Sequence, residues 1–414
     1  MKKHIAIISV ICVVITGVTL AALGSCAGGA QRGGSQLVLW LDNGAWARQA
    51  IAEYKKANPD VRIRYQKVGS VDSRPKVTLE GPSGMGPDVF IMVHNNMGTA
   101  IMDGICEPFP AELQDLYEDL ILEPALKTCV SDGVLYGVPL STENIAFLYN
   151  KNLLGNDPVP TSFEEVIEFA KKWNNPRSRK YAFRWPVENA YFNYFFLTAY
   201  GMSLFGPDMD DYRVPGWDSE EAAQGLRFYQ SLREIFDVPS GDAYEDNTIG
   251  LFARGEVPFT IAGPWSLSDM KRGRLNFGVT KLPTIGGNQP RCFSGAIIAA
   301  VSSYSENKEA AFALIEFLAG IEGASIMYQT TSKLPALKDL SNIEGLRNDP
   351  HLTGFQEQAP FADPMPVIPE MEEAWEIQKN LFVSVWNKTQ TIEAAQETAM
   401  EAYDTVLIMS GKQR

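Results

Sequence analysis

From Gln36 onward, short apolar runs of strand length alternate with stretches of helical periodicity, and few architectures accommodate such an alternation. Residues 37–41 (LVLWL) form a continuous apolar run, 46–57 carry helical periodicity, Asn58-Pro59 breaks it, and 61–68 (VRIRYQKV) alternate as a strand does. Together they read as a β-α-β unit. Residues 88–93 (DVFIMV) and 145–149 (IAFLY) read as further strands, and 163–173, 220–236 and 308–318 as helices with one apolar face. The Gly-rich run 81–86 (GPSGMG) lacks the spacing of a phosphate cradle, and its prolines make it a turn feeding the strand at Asp88. The order predicts an α/β fold. A body of about 380 residues exceeds the size, about 250 to 300 residues, at which a single core stops growing, so at least two lobes are expected.

Ahead of this body, Lys2 and Lys3 precede an uncharged apolar stretch over 5–23 that leads into Gly24-Ser25-Cys26. Its length is close to the roughly 20 residues that span a bilayer, but small residues before a cysteine resemble a bacterial lipobox. Residues 1–25 are then a removable export leader, Cys26 the lipid-modified first residue, and 26–35 a flexible Gly-rich tether. The protein is expected outside the cytoplasm, held to a membrane by that lipid anchor. Lys and Arg number 36 against 50 Asp and Glu, a formal charge of -14 without a basic run, which argues against a nucleic-acid partner. Histidine occurs only as His4, His94 and His351, too few for a multi-histidine metal centre, and no metal or cofactor is expected. Of the cysteines in the body, Cys106 and Cys129 could form a bridge in an exported protein, or these two and Cys292 could all be buried thiols; spacing leaves both open.

Aromatic residues make up 11% of the chain, and several adjoin glycine and proline in expected loops. Trp265 follows Gly263-Pro264 after the strand-like run 258–262. Trp375 follows the extended run 364–369 (PMPVIP) and opens a helix toward Trp386. Tyr191, with Glu188 before it, falls in another turn. Flat rings for a sugar's C–H face beside carboxylates that bridge its hydroxyls are what carbohydrate recognition needs. Any one of these tryptophans taken alone reads rather as core.

The collinear order of longer segments is more specific. It runs from LVLW (37–40), GPDVF (86–90) with His94 after it, YGVPLSTENIAFLYNKNLL (136–154) and ENAYF (188–192) to LFARGEVPFTIAGPW (251–265), NFGVTKLPT (276–284) and MPVIPEM (365–371). In these segments the body resembles the family-1 extracellular solute-binding proteins of bacterial ABC importers, most closely the maltose and maltodextrin binders.

The resemblance implies the class II periplasmic-binding fold: two α/β lobes joined by a multi-segment hinge near Ser141, Ser294 and Pro335, with the ligand in the cleft between them. Residues 36–141 and 295–334 would form the N-terminal lobe, and 142–294 and 335–414 the C-terminal one. It implies that Glu143 and Glu188 accept hydrogen bonds from sugar hydroxyls, that Tyr191, Trp265 and Trp375 are stacking platforms, and that Lys379, Asn95 and Asn96 stand where the family places charged contacts. The charged pair after the first strand is matched by Gly44 and Ala45, unless a two-residue shift lets Asp42 and Asn43 serve, and the Trp before His94 is Met92. The N-terminal wall is thus less charged and less aromatic than in the family. The function implied is a monomeric sugar-binding lipoprotein that delivers oligosaccharide to membrane permease subunits and has no catalytic activity. The same fold binding another sugar, or a secreted glycoside-active enzyme with paired carboxylates, stands beside it. A phosphate-ester ligand would want more than Lys379 in the site, and chelated iron more tyrosine and histidine.

Overall fold

A computed structural model describes residues 36–414; the leader, Cys26 and the whole tether lie outside the described residues. Strands β1 (Gln36–Leu41), β2 (Arg62–Lys67) and β3 (Val89–Val93) run parallel, in the order β3-β1-β2. In β1, Leu37, Leu39, Trp40 and Leu41 are all fully buried, as expected of a parallel strand covered on both faces. The crossover between β1 and β2 is the helix Gly44–Ala57. Asn43 starts it by accepting the amides of Ala45 and Trp46 on its side-chain oxygen, and Asn58 ends it with its side-chain amide on the Tyr54 carbonyl.

After a two-stranded hairpin of β4 (Val130–Ser131) and β5 (Val134–Leu135), the chain enters β6 (Val138–Asn144) and β7 (Ala146–Asn150). Strand β7 is the centre of a small antiparallel sheet, flanked by β8 (Phe259–Ala262) and β9 (Phe277–Thr280). The long strand β10 (Cys292–Val301) returns antiparallel between β3 and β6, β11 (Leu334–Pro335) adds to β6, and β12 (Ala362–Pro364) pairs with the start of β10. The large sheet therefore reads β11-β6-β10-β3-β1-β2.

Buried side chains fall into two clusters. One is built on β1, β3 and the far half of β10; the other is a nest of aromatic rings that includes Phe163, Phe183, Trp185, Phe196, Tyr229 and Trp386. Strand β10 passes from one to the other: Cys292 and Phe293 belong to the aromatic cluster, Ile297 to Val301 to the first. Strand β6 does the same, with Val138 and Leu140 in the first cluster and Ile145, just beyond its end, in the second. Alternation along β7 puts Ala146 and Leu148 in the first cluster and Phe147 in the second, so its two faces serve different cores.

The helix expected over 163–173 is found as Phe163–Trp173, with Ser162 accepting the Glu165 amide at its start. The single helix expected over 220–236 is instead Glu220–Ser231 followed by a tighter 3-10 turn, Leu232–Glu234. Cys106, Cys129 and Cys292 are buried free thiols, and burial pushes Cys129 up to about 12. Among the described residues no single helix is long and apolar enough to cross a membrane.

Candidate functional site

Parallel strands aim their carboxyl ends at one edge of the sheet, where ligands of α/β proteins collect. Asp42 lies one residue beyond β1, Gly69 to Val71 just beyond β2, and Asn95 and Asn96 just beyond β3. All face a cavity of about 660 Å³, within the range of roughly 300–1,000 Å³ usual for small-molecule sites. The opposite wall comes from the aromatic core: Glu188 and Tyr191 at one helix start, Trp265 after β8, and Trp375 and Lys379 on the helix Met371–Trp386. The floor is the crossing strands, with Glu143 from β6 and Gly295 to Ile297 from β10.

Of the ten ligand contacts expected from sequence, nine line this cavity: Asp42, Asn95, Asn96, Glu143, Glu188, Tyr191, Trp265, Trp375 and Lys379. Asn43 does not. Its side-chain oxygen is already committed to the amides of Ala45 and Trp46, so the shifted pair reduces to Asp42 alone. Tyr191 is likewise not in a turn. Asn189 accepts its amide and starts the helix Ala190–Thr198, which places Tyr191 in the first helical turn. Cys26, the expected lipidation site, lies outside the described residues.

The turn that carries Glu188 is held from behind. The fully buried Asn193 accepts the indole N–H of Trp185 and directs its amide at the carbonyls of Pro186, Val187 and Asn189. Tyr229 donates to the Val187 carbonyl as well. Trp265 is fixed by its own backbone: a Cβ on Gly263 would come within 1.9 Å of the ring, so only glycine lets the indole fold over that turn. Its N–H donates to Glu245 at 2.9 Å. The Tyr191 ring stands 6.2 Å from Trp265 and 6.5 Å from Trp375, making one aromatic wall. Of the eight tryptophans, five are fully buried, and of the remaining three only Trp265 and Trp375 line the cavity, each with one side packed against the aromatic core.

The floor holds a charge triad that sequence reading missed. Lys333, next to β11 and nearly inaccessible, sets its ammonium 2.7 Å from Asp42 and 3.4 Å from Glu143. Burial works to neutralise the lysine, but the two carboxylates outweigh it and hold its pKa above the ordinary value. Burial raises Glu143, against the opposing pull of Lys333. Asp42 itself lines the cavity, and its second oxygen is buried without a partner among the described residues. Glu245, Glu372 and Glu376 also line the site without having been anticipated, and Lys379 is held by Glu376 at 3.2 Å.

Over residues 49–354 the chain matches the family described as bacterial extracellular solute-binding protein. The chain belongs to that family. This solute-binding protein is 29% identical to the galactooligosaccharide-binding protein of Bacillus subtilis, over 88% of its own length and 89% of the relative's. It is also 29% identical to the maltotriose-binding protein of Pyrococcus abyssi, over 84% of its own length and 76% of the relative's. A cyclo/maltodextrin-binding protein solved in complex with maltotetraose superimposes with a TM-score of 0.76 at 31% identity, covering 91% of this chain and 98% of the other. The two-lobed α/β fold with its cleft is thus that of the maltodextrin-binding proteins.

Proposed function

We propose that this chain is the extracytoplasmic binding lipoprotein of a carbohydrate ABC importer, that it captures maltodextrin-type oligosaccharides, and that it delivers them to membrane permease subunits without altering them. The observation that carries this reading is the wall of Tyr191, Trp265 and Trp375 set across one cavity from Asp42 and Glu143. Successive rings can stack on successive sugars, while buried carboxylates select hydroxyl donors. Residues 36–141 with 295–334 and 142–294 with 335–414 act as the two lobes. The hinge strands β6 and β10 let the lobes close, and a ligand that contacts both walls favours the closed form by those extra contacts. Cys26 carries the anchor.

Equal identity to a galactooligosaccharide binder and a maltotriose binder favours testing one second reading, a β-linked galactose oligomer in the same cleft. Calorimetry with glucose, maltotriose and a β-1,4-galactotriose separates the two. Maltotriose is expected to bind at least about tenfold more tightly than glucose, a gap of about 1.4 kcal/mol. Trp265→Ala and Trp375→Ala should each cost about 1 to 3 kcal/mol of that binding while the protein stays folded. Tight binding of the galactotriose alone would change the sugar; appearance of shorter products from maltotriose would make the protein an enzyme; and wild-type affinity in both Trp variants would remove the aromatic wall from the site.

A further inference from the structure

Six carboxylates line the cavity, and four have a cation nearby: Asp42 and Glu143 share Lys333, Glu372 pairs with Arg74, and Glu376 with Lys379. Glu188 and Glu245 form no ion pair among the described residues. Their supports are laced together, because the Val187 amide donates to the Ala243 carbonyl at 2.9 Å, bringing the turn before Glu188 against the turn before Glu245. Glu245 is the first residue of the helix Glu245–Ala253, and one of its oxygens receives the indole N–H of Trp265. That indole is the one hydrogen-bond partner of the Glu245 carboxylate among the described residues. Burial raises its carboxyl, with the Trp265 hydrogen bond opposing.

Resting on the reading of this cleft as a sugar site, we propose that Glu245 is a specificity-determining residue: one carboxylate oxygen sets the plane of the Trp265 indole, and the other accepts a hydroxyl from the sugar ring stacked on that indole. The two contacts are coupled by geometry. A ring that covers Trp265 also removes water from Glu245, and an acceptor stripped of water without a new donor is penalised, so a ligand lacking a hydroxyl at that edge is rejected. Apolar stacking alone tolerates any sugar face. Joined to one fixed carboxylate, it becomes a test of where a hydroxyl lies.

The two oxygens can be separated by substitution in the full chain. Glu245→Ala removes both contacts; Glu245→Gln keeps an oxygen for the indole N–H but turns an amide toward the ligand. In unliganded protein the emission of Trp265 is isolated by subtracting the spectrum of Trp265→Phe in each background. It should shift in Glu245→Ala and stay as in wild type in Glu245→Gln. With maltotriose and the β-1,4-galactotriose as probes, whichever binds wild type should bind Glu245→Ala at least about tenfold more weakly, and Glu245→Gln more weakly than wild type despite its unshifted Trp265 emission. Unchanged Trp265 emission in Glu245→Ala overturns the positioning contact, and wild-type affinity in Glu245→Gln overturns the hydroxyl contact. Failure of wild type to bind either sugar counts against the sugar reading itself, and the emission comparison still decides the Glu245 to Trp265 link.

Discussion

At His94 both ring nitrogens are committed: Nδ1 accepts the Ala296 amide at 3.0 Å, which leaves Nε2–H to donate to the Met365 carbonyl at 3.1 Å. The ring thereby ties the end of β3 to β10 and to the segment that leads into the Trp375 helix. Burial lowers its pKa from 6.5 to about 4, so the native state keeps it neutral where the unfolded chain takes up a proton. The consequence has a definite sign. This group's contribution is complete above pH 6.5 and is lost as pH falls toward 4, in all about 3 kcal/mol. Glu143, raised by burial, works in the opposite direction on acidification, so a variant comparison is required. Urea unfolding of wild type and His94→Asn at pH 7.5 and 5 should show the stability gap narrowing by about 2 kcal/mol at the lower pH. A gap that does not change with pH would contradict the neutral, doubly bonded ring. A single residue such as Lys333 shows the complementary case, since an ammonium so deeply buried persists only because two carboxylates meet it.

Elements were legible in proportion to how locally they are specified. The Phe163–Trp173 helix has its apolar periodicity, its Ser162 start and its acidic first turn within a dozen residues, and sequence reading recovers its span. Tyr191 was misplaced because a three-residue signal, Glu188-Asn189-Ala190, reads equally as a turn or as a helix start; the Asn189 contact with the Tyr191 amide decides it. Another element-level constraint was invisible. Gly98, in the first turn of the helix Met97–Met102, lies so close to the Val367 carbonyl that a Cβ would come within 2.4 Å of its oxygen. The helix belongs to the first core, and Val367 precedes the Trp375 helix of the second. Gly98→Ala should therefore push two cleft walls apart, weakening sugar binding about 3-fold to tenfold by calorimetry with little change in the melting temperature of unliganded protein. Undiminished affinity would show that the two elements do not need this close approach.

At the scale of the whole molecule, an ion pair among the described residues joins elements of the two cores beside the cavity. Arg74, on the helix Ser73–Glu80, donates to Glu372 of the Trp375 helix at 2.8 Å and to Asp103 at 3.2 Å, with only 13% of its side chain exposed. Glu372 lines the cavity, so the pair adjoins the site. Because Glu372 is 43% exposed, solvent screening limits its worth, and Arg74→Met should lower sugar affinity by about 3-fold to tenfold, chiefly through faster release. Raising the salt concentration should shrink the difference between variant and wild type. Stopped-flow release measured at low and high salt checks both statements; equal release rates at low salt would leave Arg74 without a part in closure.

The periodicities of 37–41, 46–57 and 61–68, and the Gly-Pro turn before Trp265, act within a few residues of chain. For that reason the α/β class, and the placing of Trp265 just after a strand, were legible in the sequence alone. The two cores, expected from length, needed the structure only to show where β6 and β10 cross between them. The partners of charge were different. Asp42 meets Lys333 across 291 residues, Arg74 meets Glu372 across 298, and Asn43 turns to its own helix while its neighbour Asp42 turns to the cavity. A lysine or glutamate in a sequence reads as solvated surface, and its burial and its counter-ion depend on what the fold brings opposite. Only the tertiary structure decides that.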